Sequence, residues 1–176
     1  YEMHRSLVGS EMCIRDRIEL AREVRPDILH IAGDGYAADE AFAARLKEAA
    51  PNTKLMQAVL VDDESAVDRA KKYAQYCDLI LTDSGLAPDT GIGASGLTHD
   101  WSIDARIVAE CGKPVIMAGG LGPDNVAEAI EQCKPHGVDS LTKTSIKYDG
   151  GYMEKDIDKV RQFCINADAA AAKIGQ

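Results

Sequence analysis

Short apolar runs alternate with longer segments of helical periodicity along most of this 176-residue chain. That alternation limits the possible folds more than any other feature of the sequence. The apolar runs end near residues 32, 61, 83, 119 and 142, at the spacing of βα units. Strands are predicted over 27–32, 54–61, 78–82, 114–118 and 137–141, and helices over 18–24, 38–50, 64–76, 101–111, 123–132 and 153–167. Their inward stripes read as Phe42, Leu46 and Ala49, then Ala66, Ala70, Tyr73 and Ala74, then Val126, Ala129, Ile130 and Cys133, each at helical spacing. No Pro/Gly linker divides the units. One α/β domain is expected, either an open doubly wound sheet or most of a parallel barrel.

Two glycine turns lead into helices. The apolar run Pro114-Val-Ile-Met-Ala118 precedes Gly119-Gly120-Leu121-Gly-Pro123-Asp-Asn-Val126. Earlier, Gly93-Ala-Ser-Gly96-Leu-Thr98-His-Asp100-Trp101 enters a helix that Asp100 is placed to cap,. Bare backbone N–H groups beside a helix N-terminus hold a phosphate by hydrogen bonds and by the helix dipole. Strand, Gly-Gly and helix in succession is how a parallel barrel builds a sugar-phosphate site. A small phosphorylated metabolite is therefore the expected ligand. Gly91-Ile-Gly93-Ala-Ser-Gly96 also spells the dinucleotide pattern, but it lies about eight residues past the preceding strand and no acid ends the next one. Gly93, Gly96, Thr98 and Asp100 read better as a lid that closes over substrate.

Bulk properties exclude several classes. A net charge of -9 argues against a nucleic-acid partner, which would demand clustered Lys and Arg. No run approaches the roughly 20 apolar residues of a membrane helix. The five cysteines show no Cys-x-x-Cys pair and no histidine at ligand spacing, so neither a disulfide frame nor a metal is expected, and the compartment reads as cytoplasmic. Cys111, Cys133 and Cys164 are assigned to inward helix stripes.

Residues 1–17 lack helical periodicity and the charged-then-apolar order of a signal peptide,. The run Ser6-Leu-Val-Gly-Ser-Glu-Met-Cys-Ile-Arg-Asp16 resembles translated sequencing-adapter read-through. The segment is expected to be non-native and to stand outside the fold. Residues 18–167 are then a partial barrel domain, and the Ala-rich 168–176 a flexible tail.

Among single residues, Asp83 closes the apolar strand Leu79-Ile-Leu-Thr82, at the end where barrel chemistry sits,. A carboxyl hemmed in there can serve as a general acid, although Asp-Ser-Gly is also a common turn. His30, inside an apolar strand, reads as core or pocket wall rather than catalytic, and Asp139 as a further wall residue.

Together these residues resemble phosphoribosylanthranilate isomerase, the tryptophan-pathway member of the (β/α)8 phosphate-binding barrels. The carriers are Leu81-Thr-Asp83-Ser, the loop from Gly93 to Trp101, Ala118-Gly-Gly-Leu121 with Pro123-Asp-Asn-Val126, and Pro135-His-Gly-Val-Asp139. Order and spacing match the family from its fourth strand to its eighth, over about residues 20–165. The resemblance implies a cofactor-free Amadori rearrangement of an aminosugar phosphate from aldose to ketose. Asp83 matches the family's general acid, which protonates the ribose ring oxygen, and Gly119, Gly120 and Leu121 match its phosphate cradle. The family's basic cysteine on its first strand has no counterpart. Where the family turns through Ser-Ser-Gly-Val-Glu, this chain has Leu141-Thr142-Lys143-Thr144-Ser145, so Thr142, Thr144 and the Lys143 ammonium are expected to complete the cradle. The expectation is a C-terminal part of such a barrel, about five βα units, inactive alone and with strand edges at 27–32 and 137–141 open to self-association. The alternatives are another sugar-phosphate barrel, an epimerase or aldolase relative, or a non-catalytic phosphate-binding module.

Overall fold

The structure is a computed structural model and describes residues 6–9, 14–32, 37–87, 91–92, 100–149 and 151–175. Strand and helix alternate as β1 (Ser6–Gly9), α1 (Ile14–Val24), β2 (Ile28–Ile31), α2 (Glu40–Ala49), β3 (Lys54–Leu60), α3 (Ser65–Tyr73) and β4 (Leu79–Asp83). Two short strands, β5 (Leu86–Ala87) and β6 (Gly91–Ile92), precede α4 (Trp101–Glu110), β7 (Val115–Met117), α5 (Val126–Cys133) and β8 (Gly137–Val138). A 3-10 turn (Thr142–Thr144), the antiparallel hairpin β9 (Ser145–Lys147) and β10 (Met153–Lys155), and α6 (Ile157–Ile174) complete the chain.

The main sheet has six parallel strands in the order β1-β2-β3-β4-β7-β8. Each strand lies beside the one before it in sequence, with no reversal. Right-handed crossovers then put every helix on the same face, whereas a doubly wound sheet needs a switch point. The helices pack side by side on that face, α1 on α2, α3 on α4, α4 on α5 and α5 on α6.

Strand parity divides the core. Leu29, Ile31, Leu55, Val59, Ile80 and Val115 point to the helices and meet Phe42, Leu46, Ala66, Ala70 and Ile107. The alternate residues Met56, Ala58, Leu79, Leu81 and Ala118 cluster on the other, inner face with Ile28, Ala32 and Ile116. Buried Gln57 and Thr82 are polar residues on the helix-facing side. Gln57 has a structural task. It accepts from the Ala38 amide at 2.8 Å and donates to Ile31 and Ala58 carbonyls, fixing the entry to α2.

Several expectations need correction. Ser6–Gly9 pairs with β2 in parallel register, so the segment set outside the fold supplies a strand and β2 is not a sheet edge. No helix starts at Met153. Met153–Lys155 instead pairs antiparallel with Ser145–Lys147, and α6 begins after Asp156, whose carboxylate accepts from the Asp158 and Lys159 amides. The helix runs on to Ile174 and buries Ala170, so the stretch expected as a flexible tail packs on α5. Cys164 is exposed while Cys77, Cys111 and Cys133 are buried. The inward stripe of α6 runs through Phe163, Ala167, Ala170 and Ile174, which turns Cys164 outward by about 100°.

Candidate functional site at the carboxyl rim of the sheet

The parallel ladder brings three inward residues level across β4, β7 and β8. Thr82 pairs with Met117 and Met117 with Val138, all facing the other way. One step on, the Ala118 amide donates to the Thr82 carbonyl at 2.8 Å and the Asp139 amide to the Met117 carbonyl at 2.9 Å. Asp83, Ala118 and Asp139 therefore stand side by side. The alanine between the two carboxyls leaves room, and that room is a small cleft lined by Asp83, Gly119, Gly120, Leu121, Asp139 and the segment Ser140–Lys143.

Gly119 and Gly120 have φ of 89° and 65°. Two successive left-handed residues admit little but glycine, and they turn the backbone sharply off β7. Asn125 holds that turn: its side-chain amide donates to the Gly120 carbonyl at 3.1 Å and accepts from the Gly122 amide at 2.8 Å. Ser140 closes it from β8, donating to the Leu121 carbonyl at 2.6 Å. The Lys143 side chain lies across Gly122, where an added Cβ would fall 2.7 Å from the Lys143 Cβ.

Asp83 is half-buried, and its carboxylate accepts from the Ser84 amide at 2.7 Å. Asp139 stays accessible, but the surrounding walls remove enough water to push its carboxyl above the usual carboxylate range. Lys155 and the Ser140 amide oppose that shift. A carboxyl that keeps its proton more readily lowers the repulsion an anion would meet here.

Not every expected residue reaches this cleft. His30 is on the inner face, level with Met56 and Leu79, with Leu81 between that level and Asp83. Burial lowers its imidazole to about 4, and among the described residues its Nε2 has no partner. The Thr144 hydroxyl is turned to the Ser140 and Leu141 carbonyls and to Lys155. Asp100 caps α4, accepting from the Ser102 amide at 2.9 Å. Gly93, Gly96 and Thr98 lie outside the described residues. Among those residues no cluster of His, Cys, Asp and Glu could hold a metal, and no helix is long and apolar enough to cross a membrane.

Sequence inspection gave no role to Asn125, Gly122, Ser140 or Lys155. Asn125 belongs to the Pro123-Asp-Asn-Val126 motif, and the adjacent glycines at 150 and 151 were the available sequence signal for the hairpin that delivers Lys155,.

Singly wound parallel strands, helices on one face and functional groups at the carboxyl rim define an α/β protein of the TIM-barrel type, seen here as an open sheet. Its family is also defined. The sequence model for N-(5'phosphoribosyl)anthranilate (PRA) isomerase matches residues 12–166, and the chain belongs to that family. It is 39% identical over 156 residues to the N-(5'-phosphoribosyl)anthranilate isomerase of Haloferax volcanii, covering 89% of this chain and 64% of that protein. It is 32% identical to the Methanocella arvoryzae enzyme, covering 83% and 64%. The chain thus spans about 64% of the length of these relatives. Among solved structures, phosphoribosyl anthranilate isomerase from Thermotoga maritima shares the fold with a TM-score of 0.74 at 24% identity, over 95% of this chain and 74% of that one. A second such enzyme, solved with reduced 1-(o-carboxyphenylamino)-1-deoxyribulose 5-phosphate, gives 0.71 at 22%, over 95% and 72%.

Proposed function

We propose that this chain carries the phosphate cradle and the acid half of an aldose–ketose isomerase acting on N-(5'-phosphoribosyl)anthranilate in tryptophan biosynthesis. The observation that carries the reading is that Asp83 and the Gly119-Gly120 turn line one cleft. The substrate phosphate rests on the amides of Gly119, Gly120 and Leu121, next to the Lys143 ammonium. With the phosphate anchored, the Asp83 carboxyl gives its proton to the ribose ring oxygen as the ring opens. The reaction needs no cofactor. The likeness to a phosphoribosyl anthranilate isomerase solved with a reduced carboxyphenylamino-deoxyribulose 5-phosphate supports this choice of substrate.

The rearrangement also moves a proton between adjacent carbons, which needs a base beside the acid. No described residue matches the family's basic cysteine. We therefore expect residues 1–176 alone to bind phosphorylated pentoses but not to turn them over, and the intact gene product to isomerise. In the intact product Asp83→Asn removes turnover while leaving phosphate binding, and Gly120→Asp removes both. Turnover by residues 1–176 that Asp83→Asn abolishes would overturn the expected inactivity, and phosphate binding unaffected by Gly120→Asp would overturn the cradle.

The cytoplasm is the compartment proposed, because all the described cysteines are free. Burial, helped by Asp78, pushes the Cys77 thiol up to about 12, and burial together with Asp104 does the same for Cys133. The outer edge of β8 is expected to mediate self-association. Analytical ultracentrifugation checks this, and a monomer throughout the micromolar range contradicts it.

A further inference from the structure

A cavity of about 480 Å3 opens at the amino ends of β2 and β3, on the rim opposite Asp83. That volume is in the range of small-molecule sites. The turns that enter β2 and β3 supply its walls, together with the last turns of α1 and α2. The two turns are tied to each other. The Thr53 hydroxyl donates to the Pro26 carbonyl at 2.7 Å, and the Lys54 amide to the Asp27 carbonyl at 2.9 Å. The walls therefore stand without an occupant.

The polar lining carries both signs of charge. Arg22 and Arg25 bring two guanidiniums. Arg22 holds Glu19 at 3.0 Å, whereas Arg25 enters no ion pair among the described residues. Asp27 brings a carboxylate. Both α1 and α2 also present their carboxyl ends here, where carbonyls without helical partners favour a cation. A plain anion would meet that carboxylate and those carbonyls, and a plain cation would meet the arginines. A molecule with a carboxylate and an ammonium on one carbon satisfies both sets, the carboxylate through the paired N–H donors of a guanidinium. The space continues between the helices as a second cavity of about 240 Å3, which shares the Arg22 and Ala49 walls and adds buried Ile18. An apolar side chain fits there. We infer that this amino-rim cavity binds a free α-amino acid with a large apolar side chain. Its carboxylate lies on Arg25 and Arg22, its ammonium beside Asp27, and its side chain between α1 and α2 against Ile18 and Ala49. Such an occupant bridges the α1–β2 and α2–β3 turns and stabilises the fold by mass action.

The site is independent of the phosphate reading, and its test uses no turnover. Residues 1–176 are titrated calorimetrically with L-phenylalanine, L-leucine, phenylethylamine, phenylpropanoate and inorganic phosphate, and amide spectra of 15N-labelled protein are recorded in parallel. The two amino acids should bind saturably, in the millimolar range or tighter. They should shift the amides of Asp27, Asn52 and Thr53 and leave Gly119 and Gly120 in place. Phenylethylamine lacks the carboxylate and phenylpropanoate the ammonium, so each should bind about tenfold or more weakly. Inorganic phosphate should displace neither amino acid. Arg25→Gly separates binding from folding, because Arg25 has a φ of 51°, which glycine adopts without strain. That variant should keep or raise the urea midpoint yet weaken both amino acids about tenfold, and Arg25→Lys should keep part of the affinity. No saturable binding of either amino acid, phenylpropanoate binding as tightly as phenylalanine, displacement by phosphate, shifts confined to Gly119 and Gly120, or unchanged affinity in Arg25→Gly would each overturn the site. If Arg25→Gly lowers the urea midpoint, Arg25→Met decides: weakened binding supports the site and unchanged binding overturns it.

Discussion

Gly122 has no unusual backbone angle, yet the site depends on its lack of a side chain. A Cβ there would sit 2.7 Å from the Lys143 Cβ and 3.3 Å from its Cγ. Those atoms root the lysine side chain and cannot swing aside, so the 3-10 turn itself would have to retreat. Gly122→Ala should displace the Lys143 ammonium and weaken inorganic-phosphate binding several-fold, at a cost of about 1 kcal/mol in stability. Calorimetric titration beside urea unfolding checks this, and unchanged affinity would show that Lys143 takes no part in binding. The residue scale also shows what sequence inspection can reach. Gly119 and Gly120 were legible because their left-handed angles demand glycine, and Asp83 because it ends an apolar run. Gly122 and Lys155 act through partners that come close only in the folded chain, so no local pattern marks them. Thr144 was placed near the right element but turns to the Ser140 and Leu141 carbonyls, while His30 shares the inner face with Asp83 as a largely buried residue at a lower level of the sheet.

At the scale of elements, the strands β2, β3, β4 and β7 were readable because burial on both faces leaves near-continuous apolar runs. The start of α4 was readable from its capping carboxylate, Asp100, whereas Asp39 and Asp156 show themselves as caps only in the fold. Asp39 accepts from the Phe42 amide at 2.7 Å and holds the first turn of α2. Asp39→Ala should cost about 1 kcal/mol, read as a lower urea midpoint at constant slope, whereas Asp39→Asn should retain most of the stability. The hairpin before α6 was taken for the beginning of the helix, because its short strands mix apolar and charged residues in a pattern that fits either period. Cys164 was misplaced by the same ambiguity, one position from the true stripe.

For the whole molecule, acid stability is set in part by the inner face. His30 titrates at about 4 when folded, against 6.5 for the free side chain. The unfolded chain therefore takes up this proton first as the pH falls. The effect on stability is nil well above pH 6.5, grows between 6.5 and about 4, and levels off below, with a total loss of up to ~3 kcal/mol. His30→Gln should flatten that part of the curve, leaving the acid-side losses from Asp63, Glu110 and Asp156, whose carboxyls lie below their ordinary range. Urea unfolding from pH 4 to 8 on both proteins checks it, and parallel curves would refute the assignment. The alternating βα plan was legible from spacing alone, but spacing left a doubly wound sheet and a barrel both open until the strand order decided for the singly wound plan. The strand at Ser6–Gly9 was not legible, since four residues carry too little pattern to register.

Because every strand of the main sheet docks beside its predecessor, a ribosome making this protein never has to wait for a distant segment before the next hydrogen bonds can form. Each newly emerged unit finds its template already laid down, so the sheet can grow outward from its older rim during translation. The exposed surface at any moment is then one growing margin rather than scattered, unmatched strands.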